Sequence, residues 1–186
     1  MRLFTGIDLS TEVLDSLRSL TIRLQPLARI NWSPVANLHI TTKFIGEWPE
    51  AQLGVLKTAL AGVPLPLPFD VAVRGLGWFP NLFTPRVFWA GVEAPVALRD
   101  LARQTEVSLE PLGVAREDRP YSPHLTLARI KTRPNLDRLV RAIDALPSTD
   151  FGAFQVYAFH LYLSERGSVG SVYTKLATFR LEGSSA

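Results

Sequence analysis

Two short segments carry the residue types that move protons at neutral pH: His39-Ile40-Thr41-Thr42 and His124-Leu125-Thr126-Leu127. In extended chain the side chains alternate with period two, so a His and a Thr two places apart share one face. Imidazole exchanges its proton near pH 6.5, as a rough unperturbed value, and serves as acid or base. If the two segments face each other, they supply one general base, one general acid and two hydroxyl donors for anionic oxygens. That equipment suits in-line displacement at phosphorus, in which one imidazole takes a proton from the attacking water and the other protonates the leaving oxygen. A cyclic phosphodiester, with its good geometry for ring opening, needs no metal for this. Zinc fits poorly, because no Cys, Asp or Glu stands at ligand spacing from the two histidines. No Gly-x-Ser-x-Gly turn is present, which removes a serine hydrolase of that type. The third histidine, His160, lacks a following Thr at the motif spacing and reads as an ordinary strand residue.

A lone His-x-Thr triplet says little, and its recurrence at a fixed interval says much more. From His39 to His124 and from Thr41 to Thr126 the offset is 85 residues. The same offset pairs Gly6 with Gly91, Asp15 with Asp100, Arg18 with Arg103, Leu24 with Leu109, Pro26 with Pro111, Ile45 with Ile130, Pro49 with Pro134 and Phe69 with Phe154. Such an ungapped register indicates an internal duplication. Two copies are too few for a solenoid, and suggest two lobes related by a pseudo-two-fold axis with equivalent strands across a cleft. The repeat units run from about 3 to 79 and 88 to 164.

The elements that must position these residues follow from pattern. Leu3 to Asp8 reads as a buried strand, and Ser10-Thr11-Glu12 as a helix start ahead of the apolar face Val13, Leu14, Leu17, Leu20, Leu24 and Leu27. The strand Leu38 to Ile45 carries the first His-Thr pair, Gly46 ends it, and a helix follows over about 49–61. Pro64, Pro66 and Pro68 impose an extended connector, after which Phe69, Val71 and Val73 open a strand toward Trp78. Each half therefore has the order strand, helix, His-Thr strand, helix, strand. Residues 171–181 form a last strand with no counterpart in the first half, and 182–186 a frayed tail.

Composition sets the frame. The chain has 186 residues, 47% hydrophobic and 20% charged, in the range of a soluble globular protein with one core. It contains no cysteine, which excludes disulfides, thiolate zinc and a cysteine nucleophile. No signal peptide or membrane-length apolar run is present, so a cytoplasmic location and no membrane partner are expected. A net charge of +3 is compatible with a small anionic substrate and too weak for electrostatic binding of long nucleic acid.

At the level of longer motifs the chain resembles the 2H phosphoesterases, and within them the RNA 2′,3′-cyclic phosphodiesterases first described as 2′-5′ RNA ligases. The resemblance runs through Arg2-Leu3-Phe4, Asn37-Leu38-His39-Ile40-Thr41-Thr42-Lys43-Phe44-Ile45-Gly46-Glu47, Pro85 to Val92, and Arg119-Pro120-Tyr121-Ser122-Pro123-His124-Leu125-Thr126-Leu127-Ala128-Arg129. It implies a bilobal α+β fold, two antiparallel sheets lining a central cleft with helices outside. It also implies opening of an RNA or nucleotide 2′,3′-cyclic phosphate to a 2′-phosphomonoester without cofactor or metal, with reverse 2′-5′ ligation. His39 would be general acid, His124 general base, and Thr41 and Thr126 phosphate donors. Arg129 would lie near the phosphate, although strict alternation puts it opposite His124, so a bulge must turn it inward. Lys43 shares parity with His39, or is a solvated cation; Phe44 is core or a base platform; Tyr121 is a candidate nucleotide contact. A monomer without an obligate protein partner is expected. The alternatives are a nucleotide-binding module without turnover and a phosphodiesterase for another small cyclic phosphate.

Overall fold

The computed structural model describes residues 1–132, 134–167 and 170–182. β1 (Arg2–Ile7) is buried from Leu3 to Ile7, as a central strand covered on both faces must be. Ser10 accepts the Val13 N–H and caps α1 (Thr11–Leu24), whose buried stripe is Val13, Leu17, Leu20 and Leu24. A two-residue strand β2 (Asn31–Trp32) precedes β3 (Ile40–Glu47), a 3₁₀ turn over Glu50–Gln52, α2 (Leu53–Ala61) and the long β4 (Phe69–Phe79). The second half contributes β5 (Val87–Glu93), α3 (Val96–Leu109), β6 (His124–Arg129), α4 (Asp137–Asp144), β7 (Asp150–Val156), β8 (Ala158–Arg166) and β9 (Ser171–Arg180). Pro64 to Pro68 form no regular element.

The strands make two antiparallel sheets, ordered β3-β1-β8-β9 and β2-β6-β5-β4-β7. With the helices outside them, this is the expected α+β class. A single apolar cluster joins the two, from Leu3 and Ile40 on one side to Phe88 and Leu125 on the other. The helices are exchanged: α1 lies against β7 and α4, whereas α3 lies against β3 and α2. Each long helix thus covers the sheet carrying the other half's His-Thr segment.

Three local expectations change. First, β3 begins after His39, and it continues through Gly46 to Glu47. Gly46 takes φ +84° at a register shift, so it bends the strand where it was expected to end it. Second, where one strand is expected to end the second half there are two, divided at Tyr157. β7 joins β4 in the second sheet, and β8 joins β1 in the first. Phe154 and Val156 therefore pair across the ladder with Val71 and Phe69, whereas the offset of 85 matches Phe154 to Phe69 and Val156 to Val71. Third, Glu182 bonds through its N–H to the carbonyl of Pro66, while 183–186 of the expected tail lie outside the described residues.

Candidate active site

β3 and β6 approach each other where the sheets meet, and each brings one His-Thr pair. The Nδ1 of His39 lies 2.7 Å from the carbonyl of Asn37, and that of His124 lies 2.8 Å from the carbonyl of Ser122. A carbonyl only accepts, so each Nδ1 carries the proton and each Nε2 is left for a substrate. Asn37 and Ser122 are themselves 85 residues apart, and the device that fixes the tautomer is repeated in both halves.

The rings around the histidines set their environment. His39 stacks on Phe4 at 4.6 Å between centroids and meets the edge of Tyr173 at 5.2 Å. His124 meets the edge of Phe79 at 4.9 Å. Burial lowers the pKa of His39, the Asn37 carbonyl and Asp8 oppose that, and the charges of Arg129 and His124 add to it. Burial also lowers that of His124; the Ser122 carbonyl opposes it and Arg129 reinforces it. Arg129 therefore bears on both imidazoles at once. Beside His124 the cleft opens into a cavity of about 410 Å³, bordered by Phe79, Trp89, Gly91, Tyr121 and Pro123. Among the described residues no group of three or more His, Asp or Glu side chains is placed to hold a metal ion.

Paired bulges decide which neighbours share this face. In the second sheet Trp89 pairs with Thr126 and Phe88 with Ala128, skipping Leu127. Leu127 and Ala128 both turn inward, and Arg129, opposite Val87, rejoins the face of Thr126 and His124. It is the turn that the family resemblance, with Arg129 near the phosphate, would need. In the first sheet the skipped residue is Thr42, at the same repeat position: Gly6 pairs with Thr41 and Thr5 with Lys43. Thr42 bonds to Thr5 between hydroxyls at 2.7 Å, and both are buried.

The parity of Lys43 is corrected by that bulge. Its side chain points away from the cleft into the protein, where Nζ donates to Glu106 at 2.7 Å and to the Ala115 carbonyl at 2.7 Å. With 2% of its side chain exposed, it is neither a solvated cation nor a cleft residue. Phe44, opposite Phe4, takes the cleft-facing place and is 53% exposed, so it is not core. Phe44 and Arg129 are repeat equivalents, an aromatic in one half and a cation in the other. Tyr121 donates its hydroxyl to the Thr41 carbonyl at 2.9 Å, a bond between the halves, and burial raises its pKa, so it keeps its proton. His160 is more than an ordinary strand residue: its Nδ1 faces the Thr178 hydroxyl at 3.0 Å and its Nε2 lies 3.5 Å from Asp8. The sequence reading missed Phe4, Asp8, Phe79, Tyr162 and Tyr173 altogether. Only Phe4 had a local signal, its place in the Arg2-Leu3-Phe4 motif.

Each half thus brings a His of fixed tautomer to the meeting of the sheets, and the charge of Arg129 acts on both rings. A family model described as LigT like Phosphoesterase matches the chain twice, over residues 7–89 and 91–173. The chain belongs to this family, the LigT-like branch of the 2H phosphoesterases. It is 34% identical to the RNA 2′,3′-cyclic phosphodiesterase of Methanothermobacter thermautotrophicus, covering 97% of this chain and 99% of that one. It is 36% identical to the protein of the same name from Thermus thermophilus, covering 98% and 91%. Among solved structures, TT0787 of Thermus thermophilus superposes with a TM-score of 0.81 at 35% identity, covering 98% of this chain and 99% of that chain. E. coli LigT complexed with 3′-AMP superposes with a TM-score of 0.77 at 26% identity, covering 97% and 98%.

Proposed function

We propose that the cleft hydrolyses 2′,3′-cyclic phosphodiester ends of RNA to 2′-phosphomonoesters. The observation that carries this reading is the repeated tautomer lock, which leaves two imidazole Nε2 atoms, one per sheet, for one substrate. His124 takes a proton from water as the water attacks phosphorus. His39 donates its proton to the departing 3′ oxygen. Thr41 and Thr126 hydroxyls hold the non-bridging oxygens, and Arg129 offsets the charge that grows on them. With a 5′-hydroxyl in place of water as the attacking group, the same steps, His124 taking its proton and His39 protonating the departing 3′ oxygen, form a 2′-5′ bond. The relatives named RNA 2′,3′-cyclic phosphodiesterase support the substrate class. Phe44 and Tyr121 border the place where the nucleoside sits.

The chain is read as one domain of two duplicated units, about 3–79 and 88–164 with a final strand, in support of which α1 and α3 span residues 11–24 and 96–109 at the same offset of 85. Internal symmetry of this kind supplies what a dimer would, so the enzyme is read as a monomer. Among the described residues no helix is long and apolar enough to cross a membrane; an RNA end as substrate favours a cytoplasmic enzyme. An oligoribonucleotide ending in a 2′,3′-cyclic phosphate should be opened to the 2′-phosphate in the presence of EDTA. His39→Ala and His124→Ala should each lose about 10²- to 10⁴-fold in kcat. A 3′-phosphate product, binding without turnover, or a rate restored only by metal would overturn the proposal.

A further inference from the structure

The two halves differ in one respect that bears on proton traffic. The β1–β3 ladder ends with Ile7 opposite Ile40; the same antiparallel register continued by one residue brings Asp8 to His39, and the Asp8 charge acts on the His39 ring. In the β5–β6 ladder the residue opposite His124 is Gly91. The repeat counterpart of Asp8 is Glu93, two residues beyond, where it is tied to Arg74 at 3.1 Å. One histidine therefore has a carboxylate across the ladder and the other has none.

The carboxylate of Asp8 is held by side chains from two other strands. Lys175 on β9 donates to it at 2.6 Å, Tyr162 on β8 donates its phenol, and His160 on β8 lies 3.5 Å away. The ring of Tyr162 stacks on Phe4 at 5.1 Å, and Phe4 stacks in turn on His39. Tyr162 thus touches the aromatic column under His39 and the acid beside it. Although burial opposes ionisation of Asp8, Lys175, Tyr162 and His160 together hold its pKa below the usual carboxylate value. Among the described residues the charged and titratable groups around His39 are Asp8 after β1, Arg129 and His124 on β6, Tyr162 on β8 and Tyr173 on β9, and beyond the ring of Tyr162 the pair Lys175 and His160. Of these, only Asp8 carries negative charge.

We propose that Asp8 is a positioning residue that keeps the proton on His39, and that this one-sided carboxylate makes His39 the acid and His124 the base in a site that is otherwise nearly symmetric. The proposal rests on the hydrolytic reading above. Lys175 moderates the effect by partly neutralising Asp8, and Tyr162 and His160 fix the carboxylate's orientation.

The chain holds three histidines, so their ring C–H resonances can be followed by NMR and assigned by single replacement. In Asp8→Asn the His39 titration should fall by about one pH unit, the scale of a unit charge acting over a partly buried contact, with no matching fall at His124. Asp8→Glu should restore most of the shift. Lys175→Met should move His39 the other way, upward, and it tests the idea even if Asp8→Asn fails to fold. The alkaline limb of the kcat/KM profile should follow His39 in each variant. Unchanged titration of His39 in folded Asp8→Asn, or equal movement of His124, would overturn the proposal. Absence of wild-type turnover on the cyclic phosphate would instead sink the hydrolytic reading, since the titrations do not depend on substrate.

Discussion

Replacing Lys43 by Met separates a structural cation from a catalytic one. Met keeps the length of the stem and removes the ammonium, leaving Glu106 and the Ala115 carbonyl, each at 2.7 Å, without that donor. Breaking a fully buried ion pair costs about 3–5 kcal/mol, because the remaining charge is stranded. Here Glu106 is 24% exposed and keeps the Glu117 N–H at 2.7 Å, so the stranding is partial and about 2–3 kcal/mol is expected. For a chain of this length that is a fall in Tm of roughly 5–10 °C. The loss should depend on pH in a defined direction. Burial raises the Glu106 pKa, but Lys43, the Glu117 N–H and Arg116 bring it below its ordinary value of 4.5. A depressed carboxylate stabilises the fold above its unfolded pKa, and that stability vanishes as pH falls through the folded value. The difference between wild type and Lys43→Met should therefore be full at pH 7 and shrink below about pH 4.5. Urea unfolding at both pH values, with Glu106→Gln completing a double-mutant cycle, measures this. A variant of native stability that has lost kcat would refute the reasoning and return Lys43 to the cleft.

Three further outcomes follow from the geometry. Arg129→Ala removes a cation that lowers both His39 and His124, so both limbs of the pH–rate profile should move to higher pH while KM for the cyclic phosphate rises; a change in KM alone would place Arg129 away from the imidazoles. Gly77→Ala would set a Cβ 2.2 Å from the Trp89 ring, forcing the indole against Phe79, the neighbour of His124. It should cost about 1–3 kcal/mol in thermal unfolding and lower kcat, and native values of both would contradict that packing. Tyr121→Phe deletes the hydroxyl bond to the Thr41 carbonyl and should cost about 1 kcal/mol with little change in the pH profile, as calorimetry and rate profiles can check.

The duplicated His-Thr segments and their context were legible because they depend on local residues and a fixed interval. What lay beyond the sequence depends on pairing between distant strands. Alternation alone put Lys43 beside His39 and Arg129 away from His124. The bulges at Thr42 and Leu127 reverse both, and a bulge is set by the partner strand as much as by its own residues. Asp8 read only as the last residue of a strand, since Tyr162, Lys175 and His160 reach it from more than 150 positions away. The split at Tyr157 was hidden for a similar reason: Phe154 and Val156 fit the repeat by type, and only the ladder shows that their strand pairs with the first half's own β4.

The exchange of helices also governs how the protein can move and be divided. Swinging the two sheets apart would drag α1 off β7 and α3 off β3, exposing apolar surface on both at once. That exposure opposes any widening of the cleft between the two histidines. Cut in the loop between β4 and β5, the polypeptide would yield two fragments that divide both sheets as well as the exchanged helices, since β2 and β4 sit in the sheet of β6 while β8 and β9 sit in the sheet of β3. Neither could complete either sheet in solution, and mixing them should rebuild both.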